Sequence, residues 1–425
     1  MDEAYVIGSY TTAFKRWPDK SVKDLTKMAY LGVLEDSGLD GMNIGSTWFS
    51  NCAWGHTIPS IEDDPGVPGQ MNVRGQMALA PLVNEKIFPK RIPITNVEGA
   101  CASGSLAFHG AWIDVLSGNT EISLAIGVEK LFFPKHPVQV MGFFSGGTDV
   151  ALMPELFEKY RKLGAECGKE WSAGASHTLF MDVYATLAAW HMKKYGTTQE
   201  QLATVASKNH LHGSLNPLAQ YQFEVPVEKV MNDYLVAWPL TRSMCAPVSD
   251  GAAAALLCSK KVFKTLPDAV KNRAVKIRAC VRATGYDHNI EEPSVSNWAA
   301  LRAYKMAKIG PENIDFAETH DATAFAEIHQ LEQLGLCPLG EGGKYSQAGV
   351  TRYDGKRPVN TSGGLESKGH PIGATGLSQI NEVALQLREE AGKRQVKNPH
   401  IGMIENGGGV IAFEESSCVV TILSK

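Results

Sequence analysis

The sequence predicts an α/β fold made of two similar halves. A strand, a helix and a second strand follow one another within residues 92–126, an order that produces parallel strand pairing. The same order of elements returns in residues 298–405. Three pairs of segments match in one order and at a nearly constant offset of about 270 residues, which indicates a duplication. The pairs are Ala29-Tyr30 with Ala303-Tyr304, 38–44 with 310–314, and the helix starts after Cys101 and Pro371.

Local signals predict the elements of the first half. Residues 21–37 carry apolar side chains at helical spacing, Ser21 and Asp24 stand in capping-box positions, and Gly38 ends the helix. The apolar run 92–97 predicts a buried strand. A helix rich in Gly, Ala and Ser at 103–116 and a strand at 122–126 follow.

The second half repeats these elements and sets the domain boundaries. We expect an N-terminal half at residues 1–129, an inserted loop domain at 130–275 that also contains the returning strand of the first half, and a C-terminal half at 276–425. The elements predicted for the last part are a helix at 298–307, a strand at 314–318, a helix at 375–390 and strands at 401–405 and 419–423.

The inserted segment differs in composition from both halves. It contains an aromatic and glycine-rich stretch at 142–147 and two long predicted helices at 176–195 and 198–211. We interpret it as a cap over the sheet, where loops that shape a substrate pocket usually lie. His210 and His212 have no partner four residues on, so we expect them to face solvent rather than to bind a metal.

Charge and cysteine content exclude several functional classes. The 425 residues carry 41 Lys and Arg against 45 Asp and Glu, a net charge of -4, so nucleic acid is not expected as a partner. The longest apolar stretches are too short to span a bilayer. The 8 cysteines include no Cys-x-x-Cys pair, so we expect neither a disulfide frame nor a metal site, and a reducing, cytoplasmic location.

Cys101 is the candidate nucleophile. It lies between a predicted strand and the start of the helix at 103–116, where backbone N–H groups and the helix dipole favour a thiolate. We therefore expect its pKa to lie below the ~8.5 of a free thiol. The alternative is a buried cysteine that acts only as a small apolar residue.

Two histidines are candidates for proton transfer and oxyanion binding. His370 lies on a loop between Gly369 and Pro371, just before a helix, where an imidazole can accept the thiol proton. His320 ends a predicted strand, at the sheet edge where α/β folds bind ligands, and we expect it to donate to an oxyanion. The alternatives are a structural loop histidine and a capping or core histidine. The glycines of 364–376 do not fit a dinucleotide-binding fingerprint.

The stretch Glu405-Asn-Gly-Gly-Gly409 is a further candidate. Its three glycines can bring backbone N–H groups close to a developing oxyanion, and Glu405 would enter the same pocket. The alternative is a plain turn before the last strand.

The chain resembles the thiolase superfamily in the order of four features: Cys101, His320, His370 and the stretch 405–409. The motif Gly369-His-Pro-Ile-Gly-Ala-Thr-Gly376 is highly specific for that family. The His-Asp pair at His320 is similar to the sterol-carrier-protein type of thiolase and to archaeal and bacterial relatives. The resemblance covers almost the whole chain and implies a five-layered αβαβα fold with an inserted loop domain.

The resemblance also implies roles for these residues. Cys101 is expected to become acylated, with the backbone N–H groups of Cys101 and Gly407 stabilising the tetrahedral oxyanion. His370 is expected to accept the thiol proton, and His320 to stabilise the enolate. The stretch 250–255 is similar to the family's Asp-Gly-Ala-Ala-Ala segment, which implies coenzyme A contacts just before it. The expected contact residues are Cys245, Ala246 and Pro247.

One departure concerns the second cysteine, which acts as acid and base in other thiolases. This chain has Glu405 at one of its two usual places and Ala322 at the other. A carboxylate shuttles the same proton in the related hydroxymethylglutaryl-CoA synthases, provided that burial raises its pKa from ~4.3. We therefore expect Glu405 to protonate the enolate carbon.

The implied activity is that of an acyltransferase. It cleaves a 3-oxoacyl-CoA into two acyl-CoAs through an acyl-cysteine, with coenzyme A as co-substrate and no permanently bound cofactor. Thiolase subunits of the benzoylsuccinyl-CoA type fit the resemblance well, which implies an aromatic substrate that yields benzoyl-CoA and succinyl-CoA in aromatic degradation. Three alternatives stay open: a condensing acyltransferase, an aldolase, against which the retained Cys101 argues, and a non-catalytic acyl-CoA-binding scaffold.

The resemblance implies partners as well. We expect a homodimer of this chain, and a hetero-oligomer with a small subunit that carries a zinc ribbon and an OB fold. Cys52 and His56 are further residues that could reach the pocket or the dimer interface.

Overall fold

The two halves of the main sheet have the same pattern of strand pairing. The computed structural model describes residues 3–53, 72–133, 143–172 and 177–425. The strands in these ranges are β1 (Ala4–Thr11), β2 (Ser46–Ser50), β3 (Ile94–Val97), β4 (Ile122–Glu129), β5 (Leu235–Ala237), β6 (Leu240–Thr241), β7 (Gly251–Ser259), β8 (Val275–Thr284), β9 (Phe316–Glu318), β10 (Ile401–Gly408) and β11 (Ser417–Ser424).

The order of strands in the sheet is β3-β2-β4-β7-β1-β8-β11-β10-β9. In the first half β2 runs parallel to β3 and β4, and β7 runs antiparallel to β4 and β1. In the second half β9 runs parallel to β10, and β11 runs antiparallel to β10 and β8. The halves join where Tyr5 and Val6 of β1 pair with Lys276 and Val275 of β8. This repetition is the duplication that the sequence predicts.

The α-helices of the described chain lie between and outside these strands. They are α1 (Val22–Ser37), α2 (Arg74–Asn84), α3 (Ser103–Leu116), α4 (Met153–Glu166), α5 (Leu179–Tyr195), α6 (Gln199–Ser214), α7 (Val227–Met231), α8 (Lys260–Thr265), α9 (Asp268–Arg273), α10 (Val295–Ala307), α11 (Ala324–Gln333), α12 (Gly342–Gln347), α13 (Gly364–Lys368) and α14 (Thr375–Leu387). Within the described ranges, no helix has both the length and the apolar character that crossing a membrane requires.

Two helices, α3 and α14, form the central layer. They pack against each other and against strands of both halves, in one apolar core. A Cβ atom added at Gly104 of α3 would lie 3.0 Å from the backbone nitrogens of Gly376 and Leu377 of α14, so only glycine permits this approach. On the outer faces α1 covers β1, β4 and β7, and α10 covers β8 and β11. The predicted five-layered αβαβα fold is confirmed.

Most predicted elements are present, with two corrections. Helix α1 has the capping box of Ser21 and Asp24 and ends at Gly38, as predicted. The strand predicted as buried at 92–97 is wrong in its burial: β3 is four residues long and partly exposed, because it lies at the edge of the sheet and, among the described residues, pairs only with β2. The helix predicted at 375–390 ends at Leu387.

The second correction concerns α6, within the inserted segment. His210 and His212 are buried and do not face solvent. The Nδ1 atom of His212 lies 2.9 Å from the Asn360 carbonyl oxygen, and its Nε2 accepts the backbone N–H of Tyr353 at 2.9 Å. Residues distant in sequence pack over this helix and bury both histidines. Helical periodicity does not show which distant residues pack on a helix, so it could not predict this burial. The segment then returns through β7 to the first half of the sheet.

Candidate active site

Cys101 lies in a tight turn between β3 and α3. Ala100 has a φ of 49°, in the left-handed region, and the side chain of Ser103 closes the turn. The Ser103 hydroxyl accepts the N–H of Gly99 at 2.9 Å and donates to the carbonyl of Ala100 at 2.6 Å. The turn therefore fixes the thiol at the start of the central helix.

His370 contacts this thiol from the other half of the molecule. Its Nε2 lies 3.1 Å from the Sγ atom of Cys101, and its Nδ1 lies 2.7 Å from the Oγ1 atom of Thr375. The Thr375 hydroxyl donates to the Pro371 carbonyl at 3.1 Å, so it must accept from Nδ1–H of His370. This network assigns the proton to Nδ1 and leaves the Nε2 lone pair facing the thiol, the arrangement that a general base requires.

His320 completes a cluster of three side chains. The ligand atoms of Cys101, His320 and His370 all lie within 4.8 Å of one another. The two imidazole rings are 5.4 Å apart between centroids, at 64°. Burial lowers the pKa of His320 to about 4, and burial together with His320 lowers that of His370 well below its usual value. Both rings are therefore neutral at physiological pH, and each can offer one donor and one acceptor.

The expected low pKa of Cys101 is wrong. Burial raises the pKa of the thiol to about 12, although the backbone N–H groups of Gly409 and Cys101 act in the opposite direction. Burial destabilises the thiolate more than the helix start stabilises it. Removing water from the anion costs more free energy than hydrogen bonds from two N–H groups provide. Cys101 is thus a neutral thiol at rest, and the Nε2 lone pair of His370 is placed to accept its proton.

Glu405 and Gly407 lie behind the cluster. The Oε2 atom of Glu405 accepts the backbone N–H of His320 at 2.9 Å. Burial, and then the charge of Glu415, raise the pKa of Glu405 to about 8, in the direction that an acid at this position requires. Of the three glycines, Gly409 lines the cavity around Cys101, whereas neither Glu405 nor Gly407, both described, is part of its wall.

A large cavity opens in front of the cluster. It encloses about 1370 Å³, counting the part open to solvent. Cys101, His320 and His370 line its inner end, and the three residues expected to contact coenzyme A form another wall. These are Cys245, Ala246 and Pro247. Other residues of the wall are Cys52, Phe143, Phe144, Phe180 and Tyr184. His56 lies outside the described residues.

The wall that contains Cys245 connects the two histidine loops. Cys245 forms an isolated bridge with Thr323, next to the His320 loop, and Val248 forms one with His370. Behind it the buried carboxylate of Asp250 accepts three backbone N–H groups and the Nζ group of Lys130 at 3.0 Å. The acidic residue of the Asp-Gly-Ala-Ala-Ala segment therefore holds the backbone of Trp17, Leu131 and Phe132 and does not itself line the cavity.

Sequence reasoning did not single out Gly409 or Tyr184, which both line the cavity. Gly409 belongs to the three-glycine run 407–409 identified from the sequence. Gly407 was expected as the backbone donor, whereas the N–H group of the run that reaches the sulfur is that of Gly409. Tyr184 lies four residues after Phe180 on α5, so the two share one face of a helix. That spacing does not distinguish a cavity wall from a core-facing stripe, and no other sequence signal marks Tyr184.

Comparisons with known proteins agree with this geometry. Residues 4–235 match the family model described as thiolase, N-terminal domain, and residues 287–425 match that described as thiolase C-terminal domain-like. The chain is 38% identical over 414 residues to an acetyl-CoA acetyltransferase of Methanothermobacter thermautotrophicus, covering 96% of this chain and 97% of that protein.

Two further similarities bear on the substrate and the fold. The chain is 34% identical to benzoylsuccinyl-CoA thiolase subunit BbsB of Thauera aromatica, covering 75% of this chain and 77% of that protein. It shares its fold with the solved Ltp2-ChsH2(DUF35) aldolase, with a TM-score of 0.71 at 19% identity, covering 99% of this chain and 97% of that chain.

The raised pKa of Cys101 predicts how the free protein reacts with iodoacetamide. Only the thiolate is alkylated, so the rate at Cys101 should increase about tenfold per pH unit from about pH 7 to about pH 10. A small reference thiol such as glutathione should level off near about pH 9. Mass spectrometry of the Cys101 peptide measures the rate separately from the other cysteines. A rate that levels off below about pH 8 would instead indicate a thiolate–imidazolium pair.

Proposed function

Because the chain belongs to the thiolase family and is an acyltransferase, we propose that it cleaves 3-oxoacyl-CoA thioesters through an acyl group on Cys101. The observation that carries this proposal is the 3.1 Å contact between the Nε2 atom of His370 and the Sγ atom of Cys101, both of which line a large cavity. Thiolases use CoA as co-substrate, and the same groups running in reverse would form a carbon–carbon bond.

The first half of the reaction acylates the sulfur. Nε2 of His370 takes the thiol proton as Sγ of Cys101 attacks the 3-oxo carbon, and an oxyanion forms on that carbon. The N–H groups of Cys101 and Gly409, which already point to this sulfur, are suited to stabilise it. The bond between the α-carbon and the former ketone carbon then breaks. The acyl group stays on Cys101, and the N–H of neutral His320 stabilises the thioester enolate.

The second half returns the sulfur to its resting state. The enolate carbon takes a proton, for which Glu405 was the candidate from sequence, and the first acyl-CoA leaves. Free CoA then gives its thiol proton to the group that protonated the enolate carbon, and its sulfur attacks the acyl group on Cys101. The cysteine sulfur departs and recovers its proton from His370, so protons balance over one turnover.

We propose a short 3-oxoacyl-CoA such as acetoacetyl-CoA as the main substrate. The support is the similarity to an acetyl-CoA acetyltransferase over nearly the whole of both chains. An aromatic substrate such as benzoylsuccinyl-CoA is the second candidate, because Phe143 and Phe144 line the cavity and BbsB is also similar. The kcat/KM for thiolysis of each compound decides between them. We expect acetoacetyl-CoA to be preferred, and a higher value for benzoylsuccinyl-CoA would reverse the assignment.

We also propose a homodimer and a small partner subunit. Strand β3 ends the sheet with one side unpaired by the described chain, an edge that a second copy can cover. The word subunit in the name of BbsB and the DUF35 component of the solved aldolase support a zinc-ribbon and OB-fold partner. The mass of the tagged protein purified from its native host, measured by light scattering, should exceed that of one chain. A single chain of this mass would contradict both proposals.

The decisive experiment for the reaction locates the acyl group. After incubation with labelled acetyl-CoA and an acid quench, the label should be on the Cys101 peptide. Cys101→Ser should abolish it, and His370→Gln should slow its appearance by roughly 10²–10⁴-fold, the usual contribution of a general base. Cys52→Ala changes the other cysteine of the inner cavity wall and should leave the label on Cys101. Unlabelled Cys101 in the wild-type protein would favour a non-catalytic scaffold.

A further inference from the structure

The missing second cysteine leaves one step without a group that reaches the substrate. The carboxyl of Glu405 lies behind the backbone of His320, and Ala322 carries no proton to transfer. Some other group on the cavity wall must protonate the enolate carbon if the proposed function is correct. The inference below rests on that function.

Tyr184 is a proton-bearing side chain of the cavity wall that also contacts a buried chamber. It lines the cavity that contains Cys101, His320 and His370, and it also lines a smaller, mostly apolar chamber behind that cavity. Phe180 and Gly409 line both spaces as well, so these three residues form the partition between them. Burial first, and then the charges of Glu415 and Cys101, raise the pKa of the Tyr184 phenol well above its usual value, so the phenol keeps its proton at neutral pH.

The chamber behind Tyr184 contains a buried carboxyl group. Glu415 lines it and accepts a hydrogen bond from the Nε2 of Gln330 at 2.7 Å. The Oε1 atom of Glu415 is 3.1 Å from the point where a side chain at Gly407 would begin, so Glu415 packs directly on β10. Burial raises the pKa of Glu415 to about 7, and its charge in turn raises the pKa of Glu405. The pair therefore retains a proton near neutral pH.

We propose that Tyr184 is a catalytic residue that protonates the enolate carbon, and that buried Glu415 supplies the proton to it. When the carbon–carbon bond has broken, the O–H of Tyr184 gives its proton to the α-carbon, and the phenolate takes the proton of the Glu415 carboxyl. The incoming thiol of CoA then gives its proton to Glu415 through Tyr184. Each group ends the cycle as it began, and no other reagent is needed.

Leu187 supplies the matched control for this assignment. It lines the same chamber as Tyr184 and Glu415 but carries no proton that can be transferred. Leu187→Ala therefore alters the shape and packing of the chamber while leaving the phenol and the carboxyl in place. Any effect that comes only from a disturbed chamber should appear in this variant too.

The test compares two reactions in Tyr184→Phe, Glu415→Gln and Leu187→Ala. Cleavage of acetoacetyl-CoA needs a proton on carbon, which Tyr184 must then recover from the incoming CoA. Exchange of the acetyl group between acetyl-CoA and labelled CoA protonates no carbon, so His370 can give the Cys101 proton to the departing CoA and take one back from the incoming CoA without Tyr184. Tyr184→Phe should lower kcat for cleavage by about 100-fold or more and exchange by less than about fivefold. Glu415→Gln should shift the ratio of the two rates in the same direction, and Leu187→Ala should not change the ratio.

Each result decides a different point. Equal loss of cleavage and exchange in Tyr184→Phe, or no loss of either, would overturn the catalytic role of Tyr184. An unchanged ratio in Glu415→Gln would remove Glu415 from the pathway, and a changed ratio in Leu187→Ala would attribute the effect to chamber shape. A wild-type protein that performs neither reaction would reject the proposed function itself. Retained secondary structure by circular dichroism excludes misfolding of the variants.

Discussion

The hydrogen bond between His370 and Cys101 joins two parts of the chain that are 269 residues apart. Thr375 sets the direction of this hydrogen bond. Its hydroxyl donates to the Pro371 carbonyl and therefore accepts from Nδ1–H of His370, which leaves the Nε2 lone pair facing the thiol. Burial raises the pKa of the thiol and lowers that of the imidazole, so the resting pair is neutral. In the proposed mechanism, charge separates only when a carbonyl carbon is present to accept the sulfur.

Buried carboxylates hold the loops that make this contact possible. Glu129, at the end of β4, accepts the N–H groups of Cys52 and Ala53 from one half and of Gly373 from the other. Asp250 does the same for the backbone of Trp17, Leu131 and Phe132. Each carboxylate replaces water for several backbone donors at once, so loops that would otherwise be free are fixed relative to the sheet. These buried acidic residues therefore help to fix the positions of the loops around Cys101 and His370.

Sequence alone predicted the duplicated fold and the three side chains that meet at the cavity. Cys101, His320 and His370 were found because each stands at a strand end or helix start with a local motif around it. The ionisation of Cys101 was predicted wrongly, because a helix start is visible in the sequence but the depth of burial is not. Tyr184 and Glu415 were missed for a related reason. They approach the site through packing of an inserted helix and a late turn, and no spacing in the chain records that approach.

Cys101 and His370 occupy corresponding points of the two repeats, each a few residues before one of the two central helices. Gly104 and Gly376 let these helices touch, so the distance from thiol to imidazole follows from one helix spacing in the middle layer. Neither glycine belongs to the inserted cap, so changes at Phe143 and Phe144 of the cap can alter which acyl group the cavity admits without moving the thiol relative to the imidazole. Tyr184, on the inserted helix α5, is the exception, because the proposed proton transfer also fixes its position.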